Sequence, residues 1–530
     1  MEERVVDTEV GPVRLVGDEH IVGVAPAHIA RPDALPGWKS QWDRLVAQGG
    51  GVPVASLSTA DASNDAADFH KFEVLFGRDS LIATSLVGEP AIDVRRRLVL
   101  RLAELQGMSR GAAPDKDRYD AREEEHGRIV HEVRDLETDA RGRQYLALEG
   151  WSFPFFRSDD ATVYFMRELS ALALEDPSIL DVRVVQRDGK ERQLREVLAA
   201  SLEWARVRTR RSGLIESSRP HRHPGSEQLP AYPVWQDSPD ATFRADGTFA
   251  TAAVGFAEVQ GPYFDALRNI AALDRDGLFL GYYVGAPAAS GLALRSGLYS
   301  GLWVHGQGGD PGYFASGGER SGTFLQPLAV RKSNMGRLLD SDILMRREDA
   351  PFVEETVTTL FDPRFGMVTP SGIRTLGANE VRFRPDSYHN GSVWPFDNAL
   401  IARGLRRHGY NGLATWLEDR IAAVVEAVRH YPEFVSGDGV WPPNETQRTV
   451  RVRATADALG TYITRIELAP QLVQGWSVAA YADAALQRER RVTAAVDPAK
   501  ARLEERLLGA LDRMERGLEP EPGPSGGRQR

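Results

Sequence analysis

Residues 388–398 read Tyr-His-Asn-Gly-Ser-Val-Trp-Pro-Phe-Asp-Asn, and an apolar-periodic run from Ala399 to Leu405 follows them. A polar turn with a Trp and a Pro just before such a run is typical of a loop entering an amphipathic helix. Polar side chains beside an aromatic ring at the mouth of a helix suit a sugar pocket better than a core. The segment therefore predicts a binding site, whereas the reaction has to come from carboxylates elsewhere.

Helical periodicity dominates the chain from Trp38 onward. Apolar residues recur at helical spacing over 191–206, 250–273, 351–361, 397–407, 412–429 and 471–486. About twelve helices of ordinary length fit between residues 38 and 490. That number is enough for six helical hairpins closed in a ring.

The pattern divides the chain into three parts. Residues 1–37 alternate apolar and polar positions between prolines, which predicts a short extended or β-rich segment. Residues 38–490 carry the helical ring. Residues 491–530 contain one more amphipathic helix and a Pro/Gly-rich end that is predicted to be disordered.

Long loops are predicted between some of the helices. They cover 107–127, 208–249, 286–332 and 431–458, and they are rich in Gly, Pro, Arg, Asp and aromatic residues. Binding groups concentrate on long ordered loops that a rigid scaffold carries. One end of the ring is therefore predicted to be the working face.

Composition excludes several classes of function. The net charge of −10 over 530 residues argues against nucleic acid or an anionic membrane as a partner. The chain has no cysteine, which excludes a disulfide framework, a thiolate nucleophile and a Cys-ligated zinc site. No signal peptide is recognised and no run approaches the roughly 20 apolar residues of a membrane helix. We expect a soluble cytoplasmic protein without a metal or a cofactor.

Arg78 and Asp79 stand in Phe-Gly-Arg-Asp-Ser directly before an apolar run, which puts them at a helix N-terminus. One interpretation is an ordinary N-cap Asp with an exposed Arg. The other is a clamp on neighbouring sugar hydroxyls, with Arg as the fixed donor and Asp as the acceptor. The pair alone does not decide between them.

Two further carboxylates lie in loops. Asp237 follows Trp235 in a stretch walled by Pro and aromatic residues, where partial desolvation would help it to keep a proton near neutral pH. The alternative is ordinary turn chemistry in Asp-Ser-Pro-Asp. Glu433 lies just past a helix C-terminus, where the helix dipole disfavours an anion, so a purely structural role is less natural there.

An ordered series of short motifs resembles the bacterial glycogen-debranching-type amylo-α-1,6-glucosidases. Each motif alone is a weak signal, but the series keeps its order from about residue 68 to residue 486. Its members are Phe76-Gly77-Arg78-Asp79-Ser80-Leu81-Ile82-Ala83, the stretch from Glu124 to Arg134, Asp160-Ala161-Thr162, Trp235-Gln236-Asp237-Ser238, Ser333-Asn334-Met335-Gly336, the stretch from Ser387 to Pro395, and Pro432-Glu433-Phe434.

The resemblance implies an all-α fold, the (α/α)6 barrel of the six-hairpin glycosidases, with a short N-terminal β-rich or extended segment. That superfamily includes glucoamylases and the mannosyl- and glucosylglycerate hydrolases. It implies that Arg78 and Asp79 grip the terminal sugar, that Asp237 is the general acid, and that Glu433 is placed similarly to the general base. The expected chemistry is inverting hydrolysis of an α-glucoside or oligosaccharide.

Other side chains are expected to complete the sugar site. Flat aromatic faces for a sugar ring and polar groups for its hydroxyls are predicted from their positions in the loops. The aromatic candidates are Trp235, Tyr388, Trp394 and Trp441, and the polar candidates are Arg384, His389 and Asn390. Core packing is the alternative for each aromatic residue.

The chain departs from the family at several points. Eukaryotic debranching enzymes carry a Glu where Val393 stands, so the base has to lie elsewhere, and Glu433 is inferred from the wider superfamily. Departures over 440–458 favour a small α-glucoside over a branched polymer. A phosphate-dependent disaccharide phosphorylase on the same barrel and a non-catalytic carbohydrate-binding protein remain as alternatives.

Overall fold

The structure is a computed structural model that describes residues 3–8, 11–16, 21–23, 33–57, 72–109, 123–137, 139, 152–218, 231–275, 286–444, 447–453, 462–468, 471–490 and 498–517. Its α-helices are α1 (Trp38–Gln48), α2 (Gly77–Val87), α3 (Ile92–Glu104), α4 (Asp159–Glu175), α5 (Leu194–Thr209), α6 (Ala257–Arg275), α7 (Ala286–Leu302), α8 (Asn334–Arg337), α9 (Ala350–Phe361), α10 (Pro395–Arg407), α11 (Asn411–Val428), α12 (Gly475–Glu489) and α13 (Pro498–Glu515).

The strands are short. They are β1 (Glu3–Thr8), β2 (Gly11–Val16), β3 (Ile21–Gly23), β4 (Ser56–Leu57), β5 (Leu75–Phe76), β6 (Glu132–Val133), β7 (Arg183–Val185), β8 (Glu191–Gln193), β9 (Val254–Phe256), β10 (Trp303–Val304), β11 (Tyr313–Phe314), β12 (Gly317–Ser321), β13 (Phe324–Pro327), β14 (Val368–Thr369), β15 (Gly372–Ile373), β16 (Gln447–Arg453), β17 (Tyr462–Leu468) and β18 (Val473–Gln474). Across the described ranges they pair only in sheets of two or three strands.

Alternate helices form an inner ring. In the described part of the chain, α2, α4, α6, α8, α10 and α12 pack in that order, and α12 closes the ring against α2. The helices between them in sequence, α1, α3, α5, α7, α9 and α11, each pack against an inner helix. This alternation is that of an (α/α)6 barrel, and it confirms the predicted fold class.

Burial separates the two layers. The inner helix α2 buries every residue except Ser85. The outer helix α3 buries a single stripe of Val94, Leu98, Val99, Leu102 and Ala103 and exposes its other face. A helix that is buried all round belongs in the centre of a protein, whereas an amphipathic helix covers it.

The inner helices start at one end of the ring, where short β-pairings link the segments that lead into them. β5 leads into α2 and pairs with β6, and β18 leads into α12 and pairs with β4. Val393, just before α10, bridges to Val435. Side chains in these segments and in the first helical turns therefore converge on one rim, which is the predicted working face.

The prediction of a loop over 286–332 is wrong in its first half, where α7 lies. Its buried residues Leu294, Leu298 and Leu302 recur every four positions, as in a helix. Gly, Ala and Ser between them dilute that pattern in the sequence. The helix predicted from residue 250 begins at Ala257 instead, because β9 precedes it.

The two ends of the chain add smaller elements. β1 pairs with β2, and β3 runs parallel to β17. Helix α13 packs against α11 and α9, while the predicted disordered end at 519–530 lies outside the described residues. The division into 1–37, 38–490 and 491–530 stays a prediction. None of the described helices combines the length and the apolar character needed to cross a membrane.

Candidate active site

Gly77 places the first turn of α2 close against the neighbouring strand segment. A Cβ atom at this position would lie 2.2 Å from the Val130 carbonyl oxygen, so only glycine fits. The Gly77 N–H donates to the His131 carbonyl oxygen at 2.9 Å. The next two residues of α2, Arg78 and Asp79, are thereby fixed at the rim.

One buried guanidinium serves three carboxylates. Arg78, 5% exposed, has its Nε 3.3 Å from Asp79 Oδ2 and its Nη1 3.5 Å from Asp160 Oδ2. Its Nη2 lies 3.8 Å from Asp237 Oδ2. The ordinary N-cap interpretation of Asp79 with an exposed Arg78 therefore does not describe this pair. Carboxylates outnumber the cation here by three to one.

Burial and the neighbouring charges change the pKa values of both Asp79 and Arg78. Burial raises the pKa of Asp79 to about 6, Arg78 opposes that rise, and Asp237 and Asp160 add to it. Burial alone would lower the pKa of Arg78, but Asp160, Asp79 and Asp237 raise it above its ordinary value. The guanidinium stays charged, while Asp79 takes up a proton in mildly acidic solution.

The loop that carries Asp237 is fixed while the Asp237 side chain itself stays 39% exposed. The Ser238 N–H donates to His389 Nδ1 at 3.3 Å, and Asn390 Nδ2 donates to Asp240 Oδ2 at 2.9 Å. The carboxyl of Asp237 is thus held at the rim with room for a ligand beside it.

His389 is a neutral support for this loop. Its Nδ1 accepts the Ser238 N–H, so its ring proton belongs on Nε2. Burial lowers the pKa of His389 well below its ordinary value, and the charges of Lys332 and Arg78 lower it further. The ring stacks on Trp394 with centroids 5.5 Å apart.

Glu433 lies on the other side of the site and is only 3% exposed. The Tyr388 hydroxyl donates to its Oε1 at 2.5 Å, and the Gln471 N–H donates to its Oε2 at 3.2 Å. The Glu433 N–H donates in turn to the Gln471 carbonyl oxygen at 2.9 Å. Side chain and backbone of Glu433 are both fixed by neutral partners.

The Tyr388 hydroxyl connects the two sides of the site. Burial raises its pKa well above the ordinary value, and the charges of Glu433, Asp237 and Asp79 act in the same direction. The phenol is therefore a hydrogen-bond donor at every physiological pH. The residue after Tyr388, His389, accepts from the Ser238 N–H, so the segment 388–389 contacts both Glu433 and the loop that carries Asp237.

Three of the predicted sugar contacts are buried. Trp235 and Trp394 are each 1% exposed, with centroids 5.7 Å apart, and Arg337 lies over the Trp235 ring. Asn390 is buried between Asp240 and Lys332. Their positions favour packing and support of the loops, which is the alternative that the sequence left open for the aromatic residues.

The two remaining predicted residues are less closely tied to the group. Arg384 is half-buried, and its backbone N–H donates to the Asn390 carbonyl oxygen at 2.8 Å. Gly391 approaches the same turn with φ +152°, where a Cβ atom would lie 2.2 Å from the Arg384 carbonyl oxygen. Trp441 is 43% exposed. Contact of Arg384 and Trp441 with a substrate stays a prediction.

Two residues of the site were not among the predicted ones. Asp160, in the first turn of α4, follows Ser158, whose hydroxyl caps the helix by accepting from the Ala161 N–H. A second Asp beyond an N-cap was the available signal. Lys332 is buried and hydrogen-bonds to the Asp237 loop. Its sequence signal was only a lysine in the apolar surroundings of Val330 and Met335. Within the described ranges, no three His, Asp or Glu side chains are grouped to hold a metal ion.

Comparisons with known proteins agree with this fold. Residues 341–434 match the Mannosylglycerate hydrolase MGH1-like glycoside hydrolase domain. A GH63 mannosylglycerate hydrolase from Thermus thermophilus in complex with glucose is similar in structure, with TM-score 0.50 and 16% identity over 84% of this chain and 99% of that one. The same enzyme in complex with Tris gives TM-score 0.48 and 14% identity over 86% and 100%. Among curated proteins, none matches the sequence.

Both the matched segment and the matched fold are those of glycoside hydrolases. The segment 341–434 spans Tyr388 and Glu433. It does not cover Arg78 or Asp237. The solved structure supports the fold alone, because its identity to this chain is low.

Proposed function

We propose that this protein is an inverting α-glycoside hydrolase in which Asp237 is the general acid and Glu433 the general base. The observation that carries the proposal is the segment Tyr388–His389, where the Tyr388 hydroxyl donates to Glu433 and His389 accepts from the N–H of Ser238, the residue after Asp237. Two carboxyl groups in different surroundings around one space are what inverting hydrolysis requires.

In the proposed reaction Asp237 gives its proton to the glycosidic oxygen as the bond from that oxygen to the anomeric carbon breaks. Glu433 accepts a proton from a water molecule, and the water oxygen bonds to the anomeric carbon from the opposite face of the sugar. The products are a hexose with inverted configuration and the free alcohol. This arrangement needs the two carboxyl groups roughly 6.5–9.5 Å apart, with room for the water.

Arg78 and Asp79 are proposed to hold the terminal sugar. The guanidinium is fixed by three carboxylates, so its remaining donors have a defined direction. Asp79 supplies an acceptor for a hydroxyl when it is ionised. A fixed donor beside a fixed acceptor suits two neighbouring hydroxyls of one sugar ring.

The substrate is proposed to be a small α-glucoside or α-mannoside, such as the O-glycoside formed on a hydroxyl group of a short hydroxy acid or polyol. The match of residues 341–434 to a mannosylglycerate hydrolase domain supports a small aglycone. Amylo-α-1,6-glucosidase activity on a branched glucan is the other specificity that the motif series implies. Comparing hydrolysis of glucosylglycerate, mannosylglycerate, isomaltose and a branched dextrin decides between the two.

Substitution of each carboxyl group tests the assignment. Asp237→Asn and Glu433→Gln should each lower kcat by about 10²–10⁴, because each removes proton transfer in the transition state. Asp188→Asn, in an exposed pair with Arg192, and Glu203→Gln, in an exposed pair with Arg206, are matched controls that should leave kcat unchanged.

Proton NMR of the first-formed sugar should show the β-anomer from an α-glycoside. If both site variants stay within about tenfold of the wild type, the assignment is wrong. A strict requirement for inorganic phosphate would instead show a phosphorylase.

A further inference from the structure

We infer that Lys332 is a positioning residue that fixes the Asp237 loop against the segment 388–391. The inference rests on the proposed function of Asp237 as general acid. It concerns a side chain that does not reach the reacting atoms but determines where the proton donor lies.

Lys332 bridges three separate points of the site. Its Nζ donates to Gln236 Oε1 at 2.8 Å and to the Ala241 carbonyl oxygen at 2.7 Å. It also lies 3.3 Å from Asn390 Oδ1, to which it donates. Gln236 directly precedes Asp237, whereas Ala241 ends the same turn, so one ammonium group ties both ends of the loop.

The number of donors matches the number of acceptors. A charged ammonium carries three N–H donors, and the three partners of Lys332 are all oxygen acceptors. An apolar side chain of similar length would leave three buried oxygens without this donor, which is costly in an interior. The cluster therefore specifies a lysine rather than a merely space-filling residue.

Lys332 lies beside a small apolar cluster. Phe243, Phe249, Val330 and Leu376 form a small separate core, and Lys332 Nζ lies 5.4 Å from the centroid of the Phe243 ring. The backbone of Lys332 bridges to Leu376. The loop is therefore anchored just after Ala241 by packing and around Asp237 by hydrogen bonds.

The hydrogen bonds between the loop and the segment 388–391 depend on the same placement. Asn390 donates to Asp240 Oδ2 while accepting from Lys332, and the Ser238 N–H donates to His389. Loss of Lys332 would release Gln236 and Ala241 and weaken the orientation of Asn390. Asp237 lies between Gln236 and Ala241 in the chain, so release of these two residues would change its position.

Lys332→Met tests the inference by two measurements that do not share an assumption. Hydrogen–deuterium exchange of peptides covering 231–241 should become about tenfold faster. For a substrate with a poor leaving group, kcat should fall about 10²-fold with little change in KM, because a displaced catalytic group loses rate rather than affinity. An activated leaving group should restore much of that rate.

Arg295→Met is the matched control. It also removes a buried cation, because Arg295 lies on α7 and pairs with Asp349, and both residues are far in sequence from the Asp237 loop. It should lower thermal stability without faster exchange over 231–241. If Lys332→Met does not fold, Gln236→Leu removes the acceptor beside Asp237 while keeping the cation, and it should show the same pattern more weakly.

The results separate this inference from the proposed function. Exchange over 231–241 that is no faster than in Arg295→Met overturns the inference. So does faster exchange with unchanged kcat when Asp237→Asn is inactive, since the loop would then move without consequence for the acid. Full activity of Asp237→Asn overturns the proposed function, whatever the exchange shows.

A pH series adds a readout that packing alone would not give. Burial lowers the pKa of Lys332 to about 7, while Asp240, Glu258 and Glu380 oppose the shift. Above that pH the neutral amine has two donors for three acceptors, so exchange over 231–241, corrected for intrinsic rate, should accelerate between pH 6 and 8. The other nearby charged side chains are Arg78, Arg331 and Arg382, and His389 is neutral over this range. Lys332→Met should show no such acceleration, and the same acceleration in both proteins overturns the inference.

Discussion

The two sides of the site hold their carboxyl groups in opposite ways. On the acid side, Asp237 is 39% exposed and approaches a guanidinium that Asp79 and Asp160 already contact. On the base side, Glu433 is 3% exposed and accepts from a tyrosine hydroxyl and a backbone N–H. Asp237 therefore lies beside a cation that two other carboxylates share, whereas Glu433 accepts from a neutral hydroxyl and a backbone N–H.

In the proposed mechanism Asp237 carries the proton and Glu433 is ionised. A carboxyl group near other carboxylates favours its protonated form, whereas donors directed at both oxygens favour the ionised form. The interaction between Asp237 and Asp79 shows the effect, because the charge of Asp237 helps to raise the pKa of Asp79. Enzymes commonly obtain an acid and a base from two carboxyl groups by placing them in surroundings that move their pKa values apart.

The largest expected effect is on kcat, and its dependence on the leaving group of the substrate should differ between the Asp237 side and the Glu433 side. Asp237→Asn should lose about 10²–10⁴ in kcat on a substrate with a poor leaving group, but stay within about tenfold on a glycosyl fluoride. Glu433→Gln should lose about 10²–10⁴ on both substrates, because water activation does not depend on the leaving group. Steady-state kinetics of the two variants on both substrates checks this. Equal rescue of both variants would show that the sides do not differ.

The next effect concerns stability on the acid side. The pKa of Asp79 is raised from 3.8 to about 6, so between these values the folded state binds more protons than the unfolded state. The free energy of unfolding therefore falls as pH rises through this range, by about 1–3 kcal/mol in all. Asp79→Asn should be more stable than the wild type at pH 7 by that amount, and equally stable below about pH 4.

Urea unfolding at pH 4, 5, 6 and 7 measures this difference. Glu433→Gln is the comparison from the proposed base side and should show no gain in stability at pH 7, because an amide has one acceptor oxygen for the two hydrogen bonds that Tyr388 and the Gln471 N–H donate to the carboxylate. A gain in Glu433→Gln as large as that in Asp79→Asn would remove the electrostatic distinction between the sides. Asp79→Asn should at the same time lose affinity for the substrate.

The helical ring could be predicted from the sequence, because it depends on local pattern. Apolar periodicity marks buried helix faces, and a Gly before Arg78 and Asp79 marks a helix start. The pattern failed for α7, where small residues hide three buried leucines. The fold class could still be predicted without α7, because the other helices already show the alternation of inner and outer layers.

The burial of individual side chains could not be predicted from the sequence. Trp235 and Trp394 were expected to face a sugar because aromatic residues in polar loops often do, but each is 1% exposed and packs against other rings, and Arg337 also lies over Trp235. The role of Lys332 could not be predicted because its three acceptors all lie far from Lys332 in the sequence. Only the folded chain shows which of these groups meet.

A smaller effect is expected from Tyr388→Phe, which removes one donor from the base side and keeps the ring. Glu433 would lose the hydrogen bond at 2.5 Å that favours its ionised form. We expect kcat to fall about tenfold and the acidic limb of the pH–rate profile to move to higher pH. A profile from pH 4 to 9 measures both. Movement of the alkaline limb alone would contradict the assignment, because it would connect Tyr388 to the acid side.

The smallest effect is expected from Trp441→Ala, outside both sides. Trp441 is 43% exposed, so truncation should change the free energy of unfolding by less than about 0.5 kcal/mol. If its ring contacts the aglycone, KM should rise about threefold with kcat unchanged, since such a contact is made equally in the ground and transition states. Trp394→Ala is the matched control and should cost about 3–5 kcal/mol of stability, because that ring is enclosed. A fall in kcat of Trp441→Ala with KM unchanged would instead show that this exposed ring helps to place the leaving group, and it would extend the acid side of the site to residue 441.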